Sequence, residues 1–121
     1  EKAIGTLVED LVQRGMYQDV VVTLLTEFDR TPRINQNAGR DHWPATNSVL
    51  LGGGNIKGGQ VYGSTNDAGD AVKDNPVSMN DLFATYFAAM GIAPDTQVRD
   101  NLGRPGPISG EKAKVISELV G

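Results

Sequence analysis

Apolar residues recur at helical spacing from residue 4 to residue 12. This spacing predicts a first helix, which ends near Arg14 and Gly15, where a basic residue is followed by a glycine. No Ser, Thr, Asp or Asn precedes the helix as an N-cap. We therefore expect the chain to begin inside a helix of a longer protein, the alternative being a helix that frays at a free terminus.

Two continuous apolar runs follow this helix. Val20 to Leu25 is rich in β-branched residues, and Ser48 to Leu51 is a shorter run of the same kind. Neither run alternates between apolar and polar positions, which is typical of strands buried on both faces in a mostly parallel sheet. A helix that leads into such a strand predicts an α/β layered fold.

The glycine-rich segment 52–59 predicts turns around a short hairpin or edge segment that extends to Tyr62. It lacks the spacing of a phosphate-binding loop, so we interpret it as turn structure. Residues 64–75 are expected to form a surface loop. Turn residues at 101–103 predict short edge strands between residues 96 and 109, followed by a terminal turn of helix at 115–120.

A second helix is predicted to begin after Ser78. Asp81 lies three residues later, as in a capping box, and Gly91 ends the pattern. Four side chains share the predicted core face of this helix. They are Leu82, Phe83, Tyr86 and Met90.

Composition narrows the possible classes of protein. With 39% hydrophobic and 21% charged residues, the 121-residue chain can form a compact core. Its net charge of -4 and lack of a basic run argue against nucleic acid as a partner. The absence of cysteine excludes disulfides and thiolate metal sites, and no apolar run approaches the roughly 20 residues that span a bilayer.

The polar segment from Thr26 to Thr46 carries the candidate chemistry. Ligands of open α/β sheets bind at the carboxyl ends of strands, where Glu27 and Asp29 follow the first apolar run. Their carboxylates suit magnesium, calcium or manganese, and together with His42, the chain's one histidine, they could bind zinc.

The arginines of the same segment suit an anionic ligand. A guanidinium group binds phosphate or sulfate oxygens as a two-pronged fork, and Arg30 is a better candidate than Arg40 because it lies nearer the strand end. The alternative is structural, with carboxylates and arginines pairing to hold the loop. The groups in that alternative are Glu27, Asp29 and Asp41 with Arg30, Arg33 and Arg40.

Residues 25–35 (LTEFDRTPRIN) and 39–44 (GRDHWP) resemble the signature of an uncharacterised bacterial family, domain of unknown function fifteen-oh-one, which is related to sulfatases. The resemblance continues through residues 48–63 and 77–92. It implies that residues 1–121 are the C-terminal segment of a single domain. The implied fold is the C-terminal part of an alkaline phosphatase/sulfatase-like three-layer sandwich with a mostly parallel sheet.

The resemblance also implies an activity. Enzymes of that superfamily split phosphate or sulfate esters with a nucleophile and metal-binding aspartates from the beginning of the fold, which would lie upstream of this chain. Glu27 falls where they have a strand-end aspartate, Phe28 where they have the adjacent histidine, and Asp29 where this family usually has glycine. His42 would supply the later histidine.

The leading hypothesis is therefore an exported or periplasmic sulfatase-like hydrolase. Glu27, His42 and Asp29 would bind a divalent metal (Zn, Ca, Mg or Mn), and Arg30 would bind the anionic ester. The missing N-terminal part is the expected partner, and the chain alone should hydrolyse nothing. One rival is a non-catalytic glycan- or protein-binding domain on the same scaffold, and another is a small independent α/β domain whose loop is structural.

Overall fold

The computed structural model of the chain describes residues 2–121. It contains two helices, α1 (Lys2–Gln13) and α2 (Met79–Ala89), and a series of very short strands. In chain order, the strands are β1 (Val22–Leu24), β2 (Asp29–Arg30), β3 (His42–Trp43), β4 (Leu50–Gly52), β5 (Ser64–Thr65), β6 (Val72–Asp74), β7 (Gln97–Arg99) and β8 (Pro105–Pro107).

The strands pair two by two: β1 with β4, β2 with β3, β5 with β6, and β7 with β8. The last three pairs are antiparallel. The predicted three-layer sandwich with a mostly parallel sheet is therefore wrong, since no extended parallel sheet forms within residues 2–121. Of β1, only Val22 is buried, whereas Thr23 and Leu24 are exposed. The apolar run at 20–25 is thus not a strand covered on both faces.

The chain forms two compact units. The first comprises the residues up to Val22 together with Leu51–Gly59 and Ser78–Gly121, and the second comprises Thr23–Leu50 and Gln60–Val77. The assignment of residues 1–121 to one sulfatase-like domain stays a prediction.

Helix α2 contributes five buried residues to the first unit. Its N-terminus is the predicted capping box, in which the Ser78 hydroxyl accepts from the Asp81 amide at 3.1 Å and the Asp81 carboxylate accepts from the Ser78 amide at 3.2 Å. Leu82 and Tyr86 are buried as predicted, but Phe83 and Met90 are 44% and 51% exposed. Small residues complete the buried face instead. The buried residues of the helix are Leu82, Ala84, Thr85, Tyr86 and Ala89.

The glycine cluster forms a turn, as predicted. Gly53 has a φ of +73°, and a Cβ built there would lie 2.1 Å from the carbonyl oxygen of Val20, so this position requires glycine. Residues 57–62 form no strand, so the predicted hairpin or edge segment is wrong. Instead, Ile56 forms an isolated β-bridge to Val120. The helical turn predicted at 115–120 is also wrong, because these residues form a non-helical turn that ends at this bridge.

The predicted edge strands near the C-terminus are present as the β7–β8 hairpin. The Asp100 carboxylate orders its turn by accepting from the amides of Leu102 and Arg104 at 2.8 and 2.9 Å, and from Arg104 Nε at 2.7 Å. Hydrogen bonds from the Arg104 amide and side chain hold the pKa of Asp100 below its ordinary value.

The second unit contains the β2–β3 and β5–β6 hairpins. The expected surface loop at 64–75 is therefore wrong in part, because β5 and β6 pair across it. Asn66 closes their turn, since its Oδ1 accepts from the amides of Asp70 and Ala71 at 3.1 and 3.3 Å.

Neither helix of the described chain has the length and apolar character needed to cross a bilayer.

Candidate functional site

The candidate residues lie on a hairpin that is closed at its base by Thr26 and Asn47. The Asn47 amide group donates to the Thr26 carbonyl at 2.7 Å, and the Thr26 hydroxyl donates to the Phe28 carbonyl at 3.1 Å. Within this closure, β2 and β3 pair so that Arg30 lies opposite His42 and Asp29 lies opposite Trp43. The sequence predicted a long loop here, but two-residue strands bring its ends together.

Asn35 builds the turn at the far end of the hairpin. Its side-chain oxygen accepts from the amides of Asn37 and Gly39 at 2.9 and 3.0 Å, and its side-chain nitrogen donates to Asp41 Oδ1 at 2.9 Å. Ala38 adopts a φ of +57°, a left-handed conformation that is uncommon for alanine. A single asparagine thus holds the irregular end of the hairpin in one geometry.

Arg40 ties the two sides of the hairpin together. Its Nη1 donates to the carbonyl of Thr31 at 2.7 Å and to that of Pro32. Backbone carbonyls therefore engage Nη1 of this guanidinium, which gives Arg40 a structural role.

Phe28, Arg30 and His42 form one face of the hairpin, which we call the Arg30 face. The rings of Phe28 and His42 are stacked, and the guanidinium carbon of Arg30 lies 5.5 Å from the centroid of the Phe28 ring. Arg30 and His42 are exposed, and Phe28 is half-buried. One aromatic ring thus contacts two of the side chains that the sequence singled out, Arg30 and His42.

Within residues 2–121, no carboxylate forms an ion pair with Arg30. Its Nη1 donates to the Arg40 carbonyl at 3.3 Å, while the Asp29 carboxylate accepts from the Arg30 backbone amide at 2.8 Å. Throughout residues 2–121, no ion pair joins Glu27, Asp29 or Asp41 to an arginine. The ion pairs expected in the structural alternative are therefore wrong, and Arg30 and Arg40 instead donate to backbone carbonyls of the same loop.

The structure does not bring Glu27, Asp29 and His42 together as a metal site. No group of three or more His, Asp or Glu side chains suited to a metal ion occurs in the described part of the chain. Glu27 is exposed three residues beyond the end of β1, and His42 packs against Phe28. These residues alone do not fit a divalent metal, and a site that used them would need further ligands.

The other face of the hairpin borders a cleft of about 450 Å³, which we call the Trp43 cleft. Trp43 is half-buried, and its indole Nε1 donates to the Asp70 carbonyl at 3.0 Å. The residues that define its chemistry are Pro32, Arg33, Ile34, Asp41, Trp43 and Asp70.

Sequence reasoning missed this cleft. Nothing in the sequence pairs Trp43 with Asp70, which lies 27 residues further along the chain. The turn pattern at Asn66 and Gly69 was the one available signal, since it can reverse the chain and return Asp70 towards Trp43.

Comparison with known proteins identifies a family for this chain. No curated protein and no solved structure matches the chain. A family model described as "Protein of unknown function (DUF1501)" matches residues 1–120. That match covers nearly the whole chain and agrees with the family resemblance of the hairpin signature. The chain therefore belongs to the DUF1501 family of proteins of unknown function.

Proposed function

We propose that this chain contributes part of a sulfatase-like hydrolase of sulfate or phosphate esters, in which Arg30 binds the anionic ester group. The observation that supports the proposal is the environment of the Arg30 guanidinium. It is exposed, contacts the Phe28 ring and forms no ion pair with a carboxylate of residues 2–121. The link to sulfatases rests on the resemblance of residues 25–44.

The contacts of Arg30 leave most of its donors available. A guanidinium carries five N–H donors, and the hydrogen bond to the Arg40 carbonyl uses one of them. The contact with Phe28 restricts the side chain before a ligand arrives, which lowers the ordering cost of binding. His42, directly opposite Arg30, adds an imidazole that can donate a further hydrogen bond.

In a hydrolase, this arrangement would act on the charged oxygens of the ester. Charge-assisted hydrogen bonds from Arg30 would fix the group and offset negative charge that develops during cleavage. The nucleophile belongs to the proposed upstream part, which is the expected partner of this chain. Export to the periplasm is part of the same proposal and rests on the resemblance alone.

A divalent metal (Zn, Ca, Mg or Mn) enters the proposal only with ligands in addition to Glu27, Asp29 and His42. We assign no step to it, because these three side chains do not come together in the described chain. The proposal depends on the binding of an anion by Arg30.

Titration of the chain with inorganic sulfate and inorganic phosphate tests that binding. Isothermal titration calorimetry should detect saturable binding of either anion to the wild type and no binding to Arg30→Gln. Arg30→Lys should bind more weakly, because an ammonium group lacks the planar fork. Lys73→Gln removes the same charge from an exposed position of β6 and should leave the titration unchanged.

Activity provides the second test. In the longer protein that the proposal assumes, Arg30→Gln should lower turnover of an aryl sulfate or aryl phosphate by about 100-fold, in the range that removal of a charge-stabilising donor produces. Unchanged anion binding and unchanged turnover in this variant would refute the role of Arg30. Anion binding without turnover in the longer protein would instead favour the non-catalytic rival.

A further inference from the structure

We propose that the Trp43 cleft is a binding site for a neutral sugar, separate from the Arg30 face. The hairpin itself separates the two surfaces, because successive side chains of a strand point to opposite faces. Arg30 and His42 form one cross-strand pair, whereas Asp29 and Trp43 form the next. The ligand of the cleft is therefore distinct from the anionic ester proposed for Arg30.

The apolar part of the cleft suits the C–H face of a sugar ring. Trp43 is half-buried, and the hydrogen bond of its indole to the Asp70 carbonyl fixes the ring. Pro32 and Ile34 extend this surface, and Ile34 is 62% exposed. A large aromatic ring held in place and bordered by aliphatic groups is a rigid platform on which a flat ligand loses little freedom.

The polar part consists of two carboxylates with fixed orientations. The side-chain amide of Asn35 donates to Asp41 Oδ1 at 2.9 Å, and that of Asn66 donates to Asp70 Oδ1 at 2.7 Å. These bonds engage Oδ1 of each carboxylate and leave Oδ2 available to accept from a ligand. Hydroxyl groups both donate and accept, so a sugar can also accept from the Arg33 guanidinium at the same cleft.

Charge and size argue against the other simple ligands. The two carboxylates repel sulfate and phosphate. Arg33 reduces the attraction of the cleft for an amine, and a neutral polyol can form hydrogen bonds with both kinds of group. The cleft volume of about 450 Å³ lies within the usual range of small-molecule sites.

Trp43 provides a specific reporter, because the chain contains a single tryptophan. We would titrate the chain with methyl glucoside, methyl galactoside and methyl mannoside and follow the indole N–H resonance and the fluorescence. At least one sugar should cause a saturable change with a dissociation constant on the order of 1 mM, as expected for a small, open contact.

The double variant Asp41→Asn with Asp70→Asn tests the polar half of the site. Asparagine keeps the shape of each side chain but removes the charge, so sugar binding should weaken by about tenfold or more. Asp67→Asn is the matched control, since Asp67 lies in the same turn as Asp70 but does not line the cleft. Its titration should equal that of the wild type.

Three results would overturn the proposal: no sugar shifts the Trp43 indole, the double variant binds sugar as tightly as the wild type, or propylamine or inorganic phosphate replaces the sugars as the saturable ligand. Arg30→Gln distinguishes this proposal from that of the Arg30 face. It should abolish sulfate binding and leave sugar binding intact.

Discussion

The imidazole of His42 stacks on the ring of Phe28, with the ring centroids 3.9 Å apart and the planes inclined by 22°. The same phenylalanine contacts the Arg30 guanidinium. Phe28 occupies the position at which the resemblance implies a histidine, and a phenyl ring cannot bind a metal. Its contacts point to another role, which is to order the side chains of Arg30 and His42.

Phe28→Leu should loosen the Arg30 face. The substitution removes a stacked pair, worth about 0.5–1.5 kcal/mol, and a cation–π contact of about 0.5–1 kcal/mol at an exposed site. We expect sulfate binding to weaken several-fold and the His42 ring protons to lose the ring-current shift that Phe28 imposes. NMR spectra of His42 and a sulfate titration measure both effects.

Phe83→Leu is the control for loss of an aromatic ring, because Phe83 lies on α2 in the other unit and is partly exposed. It should not change the His42 signals. If His42 gives the same spectrum with and without Phe28, the stacking does not persist in solution and the proposed ordering role fails.

The stability of the first unit should depend on the charge of Asp81. Hydrogen bonds from the Ser78 hydroxyl and the Lys114 amide hold the pKa of Asp81 below its ordinary value of 3.8. The unfolded chain therefore binds a proton more readily than the folded chain. The stabilisation is present above the ordinary pKa, and it is lost as the pH falls through that value towards the folded-state pKa.

Urea unfolding at a series of pH values measures this dependence. Asp81→Asn should lower the free energy of unfolding at neutral pH by about 1 kcal/mol and flatten its decline between about pH 5 and pH 3. Asp67→Asn removes a carboxylate outside this capping box, in the turn between β5 and β6. In this variant the free energy of unfolding should depend on pH as it does in the wild type. Equal slopes for wild type and Asp81→Asn would contradict the assignment.

The helices were predictable because their signals are local. Apolar spacing, the Ser78–Asp81 capping box and the terminal glycines all act within a few residues. The core face of α2 was predicted only in part, because burial depends on distant segments. Thr85 is fully buried beneath residues near the C-terminus, and its hydroxyl accepts from the Ile116 amide, which helical spacing alone does not reveal.

The parallel sheet was mispredicted because an apolar run does not specify how many neighbours a strand has. Leu24 and Leu25 are 47% and 43% exposed, although they belong to the run that indicated a strand buried on both faces. Pairing partners are set by contacts between residues far apart in sequence, and the short polar strands β2, β3 and β5 carry little apolar pattern of their own.

The sequence predicted which segment carries the site, but it did not predict which groups the side chains of that segment contact. The residues of the Arg30 face were identified from their chemical types and their place after an apolar run. The carbonyl partner of Arg30 and the link between Trp43 and Asp70 depend on hairpin register. A shift of one residue would exchange the faces of the hairpin, so register had to come from the structure.

Gly53→Ala should destabilise the first unit strongly. The backbone has a φ of +73° there, and the added methyl carbon would lie 2.1 Å from the Val20 carbonyl oxygen and 2.9 Å from that of Tyr17. Backbone atoms cannot yield as a flexible side chain does, so we expect a loss of more than about 2 kcal/mol in urea unfolding. Gly58→Ala is the matched control, because nothing lies within 4 Å of its added carbon. Similar unfolding midpoints for the two variants would contradict the close approach at Gly53.

Asn35→Ala should open the far end of the β2–β3 hairpin. The variant loses two hydrogen bonds that its oxygen accepts from backbone amides and one that its nitrogen donates to Asp41. We expect a loss of about 1–3 kcal/mol in local stability and faster amide exchange at Gly39.

Asn37→Ala changes a neighbouring exposed asparagine that contributes only its backbone amide to this turn, so exchange should stay near the wild-type rate. Because Asn35 also orients Asp41, Asn35→Ala should weaken sugar binding at the Trp43 cleft while sulfate binding at the Arg30 face changes less. Equal exchange rates at Gly39 in the two variants would show that the Asn35 side chain does not hold this turn.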